Sequence, residues 1–227
     1  SMATTPKQPR PQPKPKILGA KPKPATSTTT VGPSSNTIQQ AAANITAQQQ
    51  KASLAWFYSM IKGQLNTRGQ AKSSSRRIAD AAFHVKKGMP VIGKMYFYVY
   101  AAKLKEELPF WDKFPLIVPI RYYKDGWLGL NLHYLPPQLR AKLLDKLMDY
   151  TKASKTPRAF MKVSYAMLKA AVAAPLFQPT IHRYLVTHVK TDLVEVKSEY
   201  WVKAALLPVQ QFQKAGATTV WRESRKA

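Results

Sequence analysis

The sequence has no cysteine, which removes disulfides, thiol nucleophiles and thiolate metal sites and leaves packing to hold the fold. Acidic residues are scarce: 11 Asp and Glu stand against 36 Lys and Arg in 227 residues. A two-metal nuclease needs several carboxylates converging on hard cations. Glu106 and Glu107 are adjacent and point in different directions, and Asp112 follows only after Pro109, Phe110 and Trp111. Histidine is limited to His84, His133, His182 and His188, without the close helical spacing that zinc requires. Gly88, Gly93, Gly126 and Gly129 lack the spacing, and the following Lys-Ser/Thr, of a phosphate-cradling loop, and no nucleophile-elbow motif is present. No apolar run approaches the roughly 20 residues that span a bilayer. The N-terminal segment is rich in Pro, Lys and Thr rather than a charged tip leading into an apolar stretch. These absences predict a soluble, unsecreted, non-enzymatic protein with no cofactor, no metal, no small-molecule substrate and no membrane partner.

What is abundant is positive charge, with a formal net of +25. A folded chain carrying that much like charge repels itself, and a polyanionic partner is the usual reason to tolerate the cost. Hydrophobic residues make up 45% of the chain, enough to bury a sizeable core. The charge is also unevenly distributed. Residues 1–36 alternate proline (Pro6, Pro9, Pro11, Pro13, Pro15) with Lys7, Arg10, Lys14 and Lys16, a composition that favours extended polyproline II and cannot form a core. The first acid in the chain is Asp80, so everything before it is cationic or neutral, the pattern of a basic nucleic-acid-binding arm.

The periodicities divide the rest into a helical segment at 37–85 and a folded domain at 86–227. Residues 37–65 read as one helix capped near Asn36 or Thr37. Residues 70–85 read as a second, with Lys72, Arg76 and Arg77 on one side and Ile78, Ala81 and Ala82 on another. Met95, Phe97 and Val99 alternate with Tyr96, Tyr98 and Tyr100, a period of two that predicts a strand. Residues 116–123 predict another, and Lys124, Asp125 and Gly126 supply a turn whose glycine can take positive φ. Residues 128–134 return as the paired strand. Pro115 and Pro119 remove ladder donors and place the outgoing strand at an edge or on a bulge. Pro136 and Pro137 open a helix with Leu139, Leu143, Leu144, Leu147 and Met148 on its apolar stripe. Helices are also expected at 160–173, at 180–189 from the spacing of Ile181, Leu185 and Val189, and at 199–207 before Pro208, with a short strand at 193–196. The class is α+β: a small antiparallel sheet with an Asp-Gly hairpin, packed by several helices and preceded by the helical segment and the disordered basic arm.

The constellation with chemical potential is a basic surface interleaved with aromatics. Lys86, Lys87, Lys94, Lys103, Lys105, Arg121, Arg140, Lys142 and Lys146, with Arg76 and Arg77 upstream, are candidate phosphate contacts. Strand-alternating rings such as Phe97 belong in a core, whereas Trp111, in a proline-flanked loop, is the candidate for stacking on an exposed base.

One block of text resembles a known family. Gly93-Lys94-Met95-Tyr96-Phe97, then the run from Leu108 to Leu116, Asp125-Gly126, the run from Leu128 to Pro136, and Leu139 to Leu143 are similar to the central part of the DNA end protector proteins of T-even-like phages. Trp201, Leu207-Pro208, Phe212, Val220-Trp221 and Ser224-Arg225-Lys226 resemble that family's ending. The likeness spans roughly residues 85–227. It implies a late virion protein joining the filled head near the portal or neck, with double-stranded DNA ends as its ligand. It also implies a role in host cytoplasm, keeping exonuclease off injected linear DNA. The alternative is a head-completion, neck or tail component that faces packaged DNA without preferring its ends.

Overall fold

The computed structural model describes residues 37–58 except 45, 49, 53 and 56, together with 83–86, 88–151 and 157–226. The basic arm, most of the second expected helix, and Arg76, Arg77 and Lys87 lie outside the described residues.

Helix α1 (Thr37–Ala43) is followed by further helical residues within 47–58. Strands β1 (Phe83–Lys86), β2 (Met95–Phe97), β4 (Leu116–Tyr123), β5 (Gly126–Asn131), β6 (Ile181–Leu185) and β7 (Leu193–Val196) form one sheet in the order β1-β7-β2-β4-β5-β6. Every pairing in it is antiparallel. Short strands β3 (Trp111–Asp112) and β8 (Phe212–Gln213) pair separately. Helices α2 (Pro137–Thr151), α3 (Pro157–Ala173), α4 (Trp201–Leu206) and α5 (Ala217–Ser224) complete an α+β architecture.

The period of two that runs through β2 and on to Tyr100 sorts these side chains onto two different cores. Met95 and Phe97 enter the larger one, with Leu116, Val118 and Leu130 of the sheet and Leu143, Leu144, Leu168 and Ala204 of the helices. Tyr96, Tyr98 and Tyr100 enter a second, with Ile117, Trp127, Tyr184 and Leu193. Loop residues Met89, Ala102 and Val189 pack against that second cluster. Both faces of β4 are therefore covered, and its first five residues are all buried. The helical segment is sewn into the larger core by Ile38 and Phe57. Asp145 of α2 turns its carboxylate to the start of α1, accepting from the Ile38 and Gln39 N–H groups at 3.4 and 3.3 Å. This satisfies orphan donors where the helix end favours negative charge.

Several expectations are corrected. Residues 83–86 are a strand, so the second helix cannot reach 85. The return strand stops at Asn131 and gives way to a 3₁₀ turn at Leu132–Tyr134. The helix expected at 180–189 is instead β6 followed by a 3₁₀ turn at Val186–His188. Its cue was a spacing of four, which is compatible with one helix face but is equally an even number, so it also marks one face of a strand. Of the two alternatives for the outgoing strand, the bulge is found, between Pro119 and Arg121, and β4 lies inside the sheet rather than at its edge. Pro119 offers no N–H, but its carbonyl accepts from the Gly93 N–H at 3.0 Å.

The hairpin also differs in its reason for glycine. Positive φ among the described glycines occurs at Gly88 and Gly93, not at Gly126. Tyr123 pairs with Gly126, so the turn residues are Lys124 and Asp125. Gly126 is needed because a Cβ there would sit 1.8 Å from the Tyr184 carbonyl oxygen of β6. Gly126→Ala must push two paired backbones apart and is expected to destabilise by roughly 3 kcal/mol or more, at the upper end of overpacking costs. Urea denaturation checks this; a midpoint equal to that of the native chain would refute the close approach.

Candidate nucleic-acid interface

The segment between β2 and β3 leaves the sheet and folds back along the free edge of β6. Its near end is fixed by the Ala101 N–H donating to the His188 carbonyl at 3.0 Å and by a bridge between Tyr100 and Val189. Its far end is held by Lys214, whose Nζ donates to the Glu106 and Leu108 carbonyls, each at 3.0 Å. Lys214 has φ of +70°, a left-handed conformation that costs a non-glycine residue of order 1 kcal/mol. Exposed Lys103 and Lys105 ride on the turn between these fixed ends.

A cavity of about 490 Å³ opens between this segment and β6, lined among others by Lys103, Phe110, Trp111, Tyr134, His182 and Arg183. A second, of about 710 Å³, shares Pro109, Phe110, Tyr134 and His182 with it. Their common wall is aromatic. The Tyr134 and His182 rings lie 3.9 Å apart at 31°, and Phe110 stands 6.4 Å from Tyr134. His182 donates through Nε2 to the Pro179 carbonyl at 2.9 Å. Burial pulls its pKa down to about 4, so the ring is neutral at physiological pH.

Beside the cavity mouth, the sheet carries a cationic row. Arg121, Leu128 and Arg183 are cross-strand neighbours on β4, β5 and β6. The Arg183 guanidinium lies 4.3 Å, and that of Arg121 5.4 Å, from the Tyr123 ring centroid. Arg183 also pairs with Asp125 at 2.7 Å, with both side chains more than half exposed. A solvated pair of this kind is worth little and is readily exchanged.

Behind the wall lies a buried polar lock. Asp112 accepts from the Phe114 N–H (3.0 Å) and the Gln211 N–H (3.1 Å) on one oxygen, and from Asn131 Nδ2 (3.1 Å) and His133 Nδ1 (2.7 Å) on the other. Burial pushes the Asp112 pKa up, but His133 beside it and these hydrogen bonds overcome that and hold the carboxyl below its usual range. For His133, burial dominates over the Asp112 attraction and lowers the pKa, leaving a neutral ring that donates from Nδ1. Although the pair resembles a catalytic dyad in outline, both side chains are sealed from solvent. Glu107 is exposed on the surface turn, whereas Asp112 is buried.

The candidate residues of the sequence fall into distinct groups. Lys103 and Trp111 meet at the 490 Å³ cavity, Trp111 half-buried as part of its wall rather than free in a loop. Lys105 shares the turn, and Arg121 joins through Tyr123. Lys142 and Lys146 are exposed on α2, with the Lys146 ammonium 5.4 Å from the Phe177 ring centroid. Lys94 pairs with Glu195 at 3.0 Å, and Lys86 is half-buried at a small cavity beside Trp127.

Arg140 is a correction. It is 1% exposed and donates to the carbonyls of Leu135 (2.6 Å), Ala205 (3.1 Å), Leu207 (3.3 Å) and His133 (3.4 Å) and to Gln210 Oε1 (3.3 Å). With its donors committed to carbonyls, it ties α2 to the C-terminal segment and has none facing a phosphate. The reading of the sequence missed Arg183, His182, Tyr134 and Lys214. For the first two the strand carries no clean alternation, since polar His182 and Arg183 are adjacent within it.

Compared with known proteins, residues 23–224 match the family model described as phage T4 terminal DNA protecting protein. That span begins well upstream of residue 85, so the likeness takes in the helical segment as well. No curated protein and no solved structure matches the chain.

Proposed function

Since this chain belongs to the phage T4 terminal DNA protecting protein family, we propose that it binds the end of linear double-stranded DNA and blocks exonuclease there by steric occlusion, without catalysis. The observation that carries this reading is where the negative charge goes. Asp112 and Asp145 are buried within the fold, and Asp125, Glu195 and Glu223 face cations of the chain itself. Yet the net charge remains +25, so the neutralising partner must be supplied from outside, and DNA phosphate supplies it. Lys103, Lys105 and Arg121 beside the aromatic cavity form the proposed centre of contact. Lys86, Lys94, Lys142 and Lys146 are further proposed phosphate contacts, as are Arg76, Arg77 and Lys87. In this division of labour the DNA-binding domain begins with β1 at Phe83, the helical residues before it are its support and 1–36 is a basic arm following the duplex. The proposed setting is the virion head or head–tail junction, against portal, neck or head-completion proteins, and then the host cytoplasm after injection.

The experiment is a digestion of linear duplex by a processive double-strand exonuclease, with nicked circular DNA as a binding competitor. Linear DNA is expected to survive at protein concentrations set by the number of ends, with circles competing poorly. Equal competition by circles, without protection of linear DNA, would instead support a structural head-completion or neck role that has no end preference.

A further inference from the structure

We infer that the 490 Å³ cavity beside β6 is a capture site for a single unpaired nucleotide at the DNA terminus, its base inserted against the aromatic wall and its phosphate held at the rim by Lys103 and Arg183. This rests on the end-binding reading above and adds how an end is told from an interior.

Size, wall and rim point to the same occupant. The volume lies within the range of small-molecule pockets and is too small for a base pair with its two backbones. The shared wall is already an aromatic cluster: the Tyr134 and His182 rings lie 3.9 Å apart, tilted by 31°, with Phe110 alongside, so a planar base joins existing rings instead of having to assemble them. Every base has a π-face, so such a site tolerates any terminal sequence. Neutral His182 keeps charge out of the stack and leaves it to the rim, where phosphate belongs. Arg183 is presented by a rigid strand, and its present partner is exposed Asp125, whose screened attraction a phosphate can replace.

The outer wall is built to hold its position. Lys214 clamps the Glu106 and Leu108 carbonyls from a left-handed backbone, and an ammonium has three donors. Strain retained at a loop clamp favours a pre-formed site over one that closes around its ligand. Lys214 is thus a positioning residue, while Phe110, Lys103 and Arg183 touch the nucleotide. An uninterrupted duplex exposes no single base, so only a terminus, frayed or with an overhang, can fill the cavity.

The test compares two short duplexes that differ at one site: a one-nucleotide overhang carrying a base, and the same overhang made abasic. The native protein is expected to bind the base-bearing end roughly tenfold or more tightly, the effect of one base stacking on aromatic side chains. Phe110→Ala, on the loop, is expected to erase that ratio by weakening the base-bearing end to the level of the abasic one. Lys103→Ala with Arg183→Ala, both at exposed positions, is expected to weaken both duplexes and to shrink the ratio, and it serves as the readout should Phe110→Ala fail to fold. A ratio of one in the native protein overturns the capture site, as does a ratio that survives in the folded variants. Loss of linear-DNA protection by the native chain would strike the end-binding reading itself, which the abasic comparison does not measure.

Discussion

Asp112→Ala is expected to lower folding stability by about 3–5 kcal/mol, the cost of removing one member of a buried charged network. Four donors lose their acceptor at once: the Phe114 and Gln211 N–H groups, Asn131 Nδ2 and His133 Nδ1. They come from the β3–β4 connection, the segment entering β8, the end of β5 and the 3₁₀ turn after it, so one carboxylate joins four parts of the chain. Asp112→Asn is expected to fall between, at roughly 1–3 kcal/mol. Its amide can still accept the two backbone N–H groups through oxygen, but its NH₂ then faces Asn131 Nδ2 and His133 Nδ1. Equilibrium urea denaturation orders the three proteins, and equal midpoints would show that the network contributes nothing.

The same pair sets how stability responds to acid. The folded state depresses the pKa of His133 below its ordinary 6.5, so the unfolded chain takes up a proton first and stability falls as pH drops below that value. The folded state also depresses the Asp112 carboxyl. A second loss therefore follows at lower pH, as the solution passes down through the usual carboxylate range toward the folded value. Asp112→Asn removes this second loss by removing its titrating group.

How much of this was legible in the sequence depends on whether a feature is local. The β4–β5 hairpin was readable because an apolar run, turn residues and a glycine all sit within one short stretch. The α2 stripe was readable for the same reason, with Leu143, Leu144 and Leu147 buried and Lys142 and Lys146 exposed. Arg140 was not, because as text it is one more cation on a basic helix. What buries it are carbonyls 65 and 67 positions further along the chain. The β6 segment failed for a different reason, since Ile181 and Leu185 satisfy both periodicities and only pairing with β5 decides between them. Losing β6 meant losing Arg183 and His182, and with them the cavity, whose other wall comes from a segment some 80 residues earlier. Lys214 carried no signal at all, because its importance lies in a backbone dihedral and two distant carbonyls.

Affinity for linear duplex is expected to fall by roughly 10³–10⁵ between about 50 and about 200 mM monovalent salt, the loss that follows when some 6–10 phosphates are neutralised. Each lost phosphate contact reduces the log–log slope by about 0.9, so the slope apportions the contact among parts of the chain. Deleting residues 1–36, which hold Lys7, Arg10, Lys14, Lys16, Lys21 and Lys23 and no acid, is expected to weaken binding by a similar factor on every sequence and to flatten the slope by several such steps. Lys103→Ala with Arg183→Ala is expected to remove about two steps and, unlike the deletion, to act more strongly on ends than on circles. Titrations by fluorescence anisotropy across salt concentrations separate the two effects. A deletion that leaves the slope unchanged would put the whole electrostatic contact on the folded surface. The sheet-edge cations would then have to hold the duplex without help from the arm, and their double substitution should cost correspondingly more.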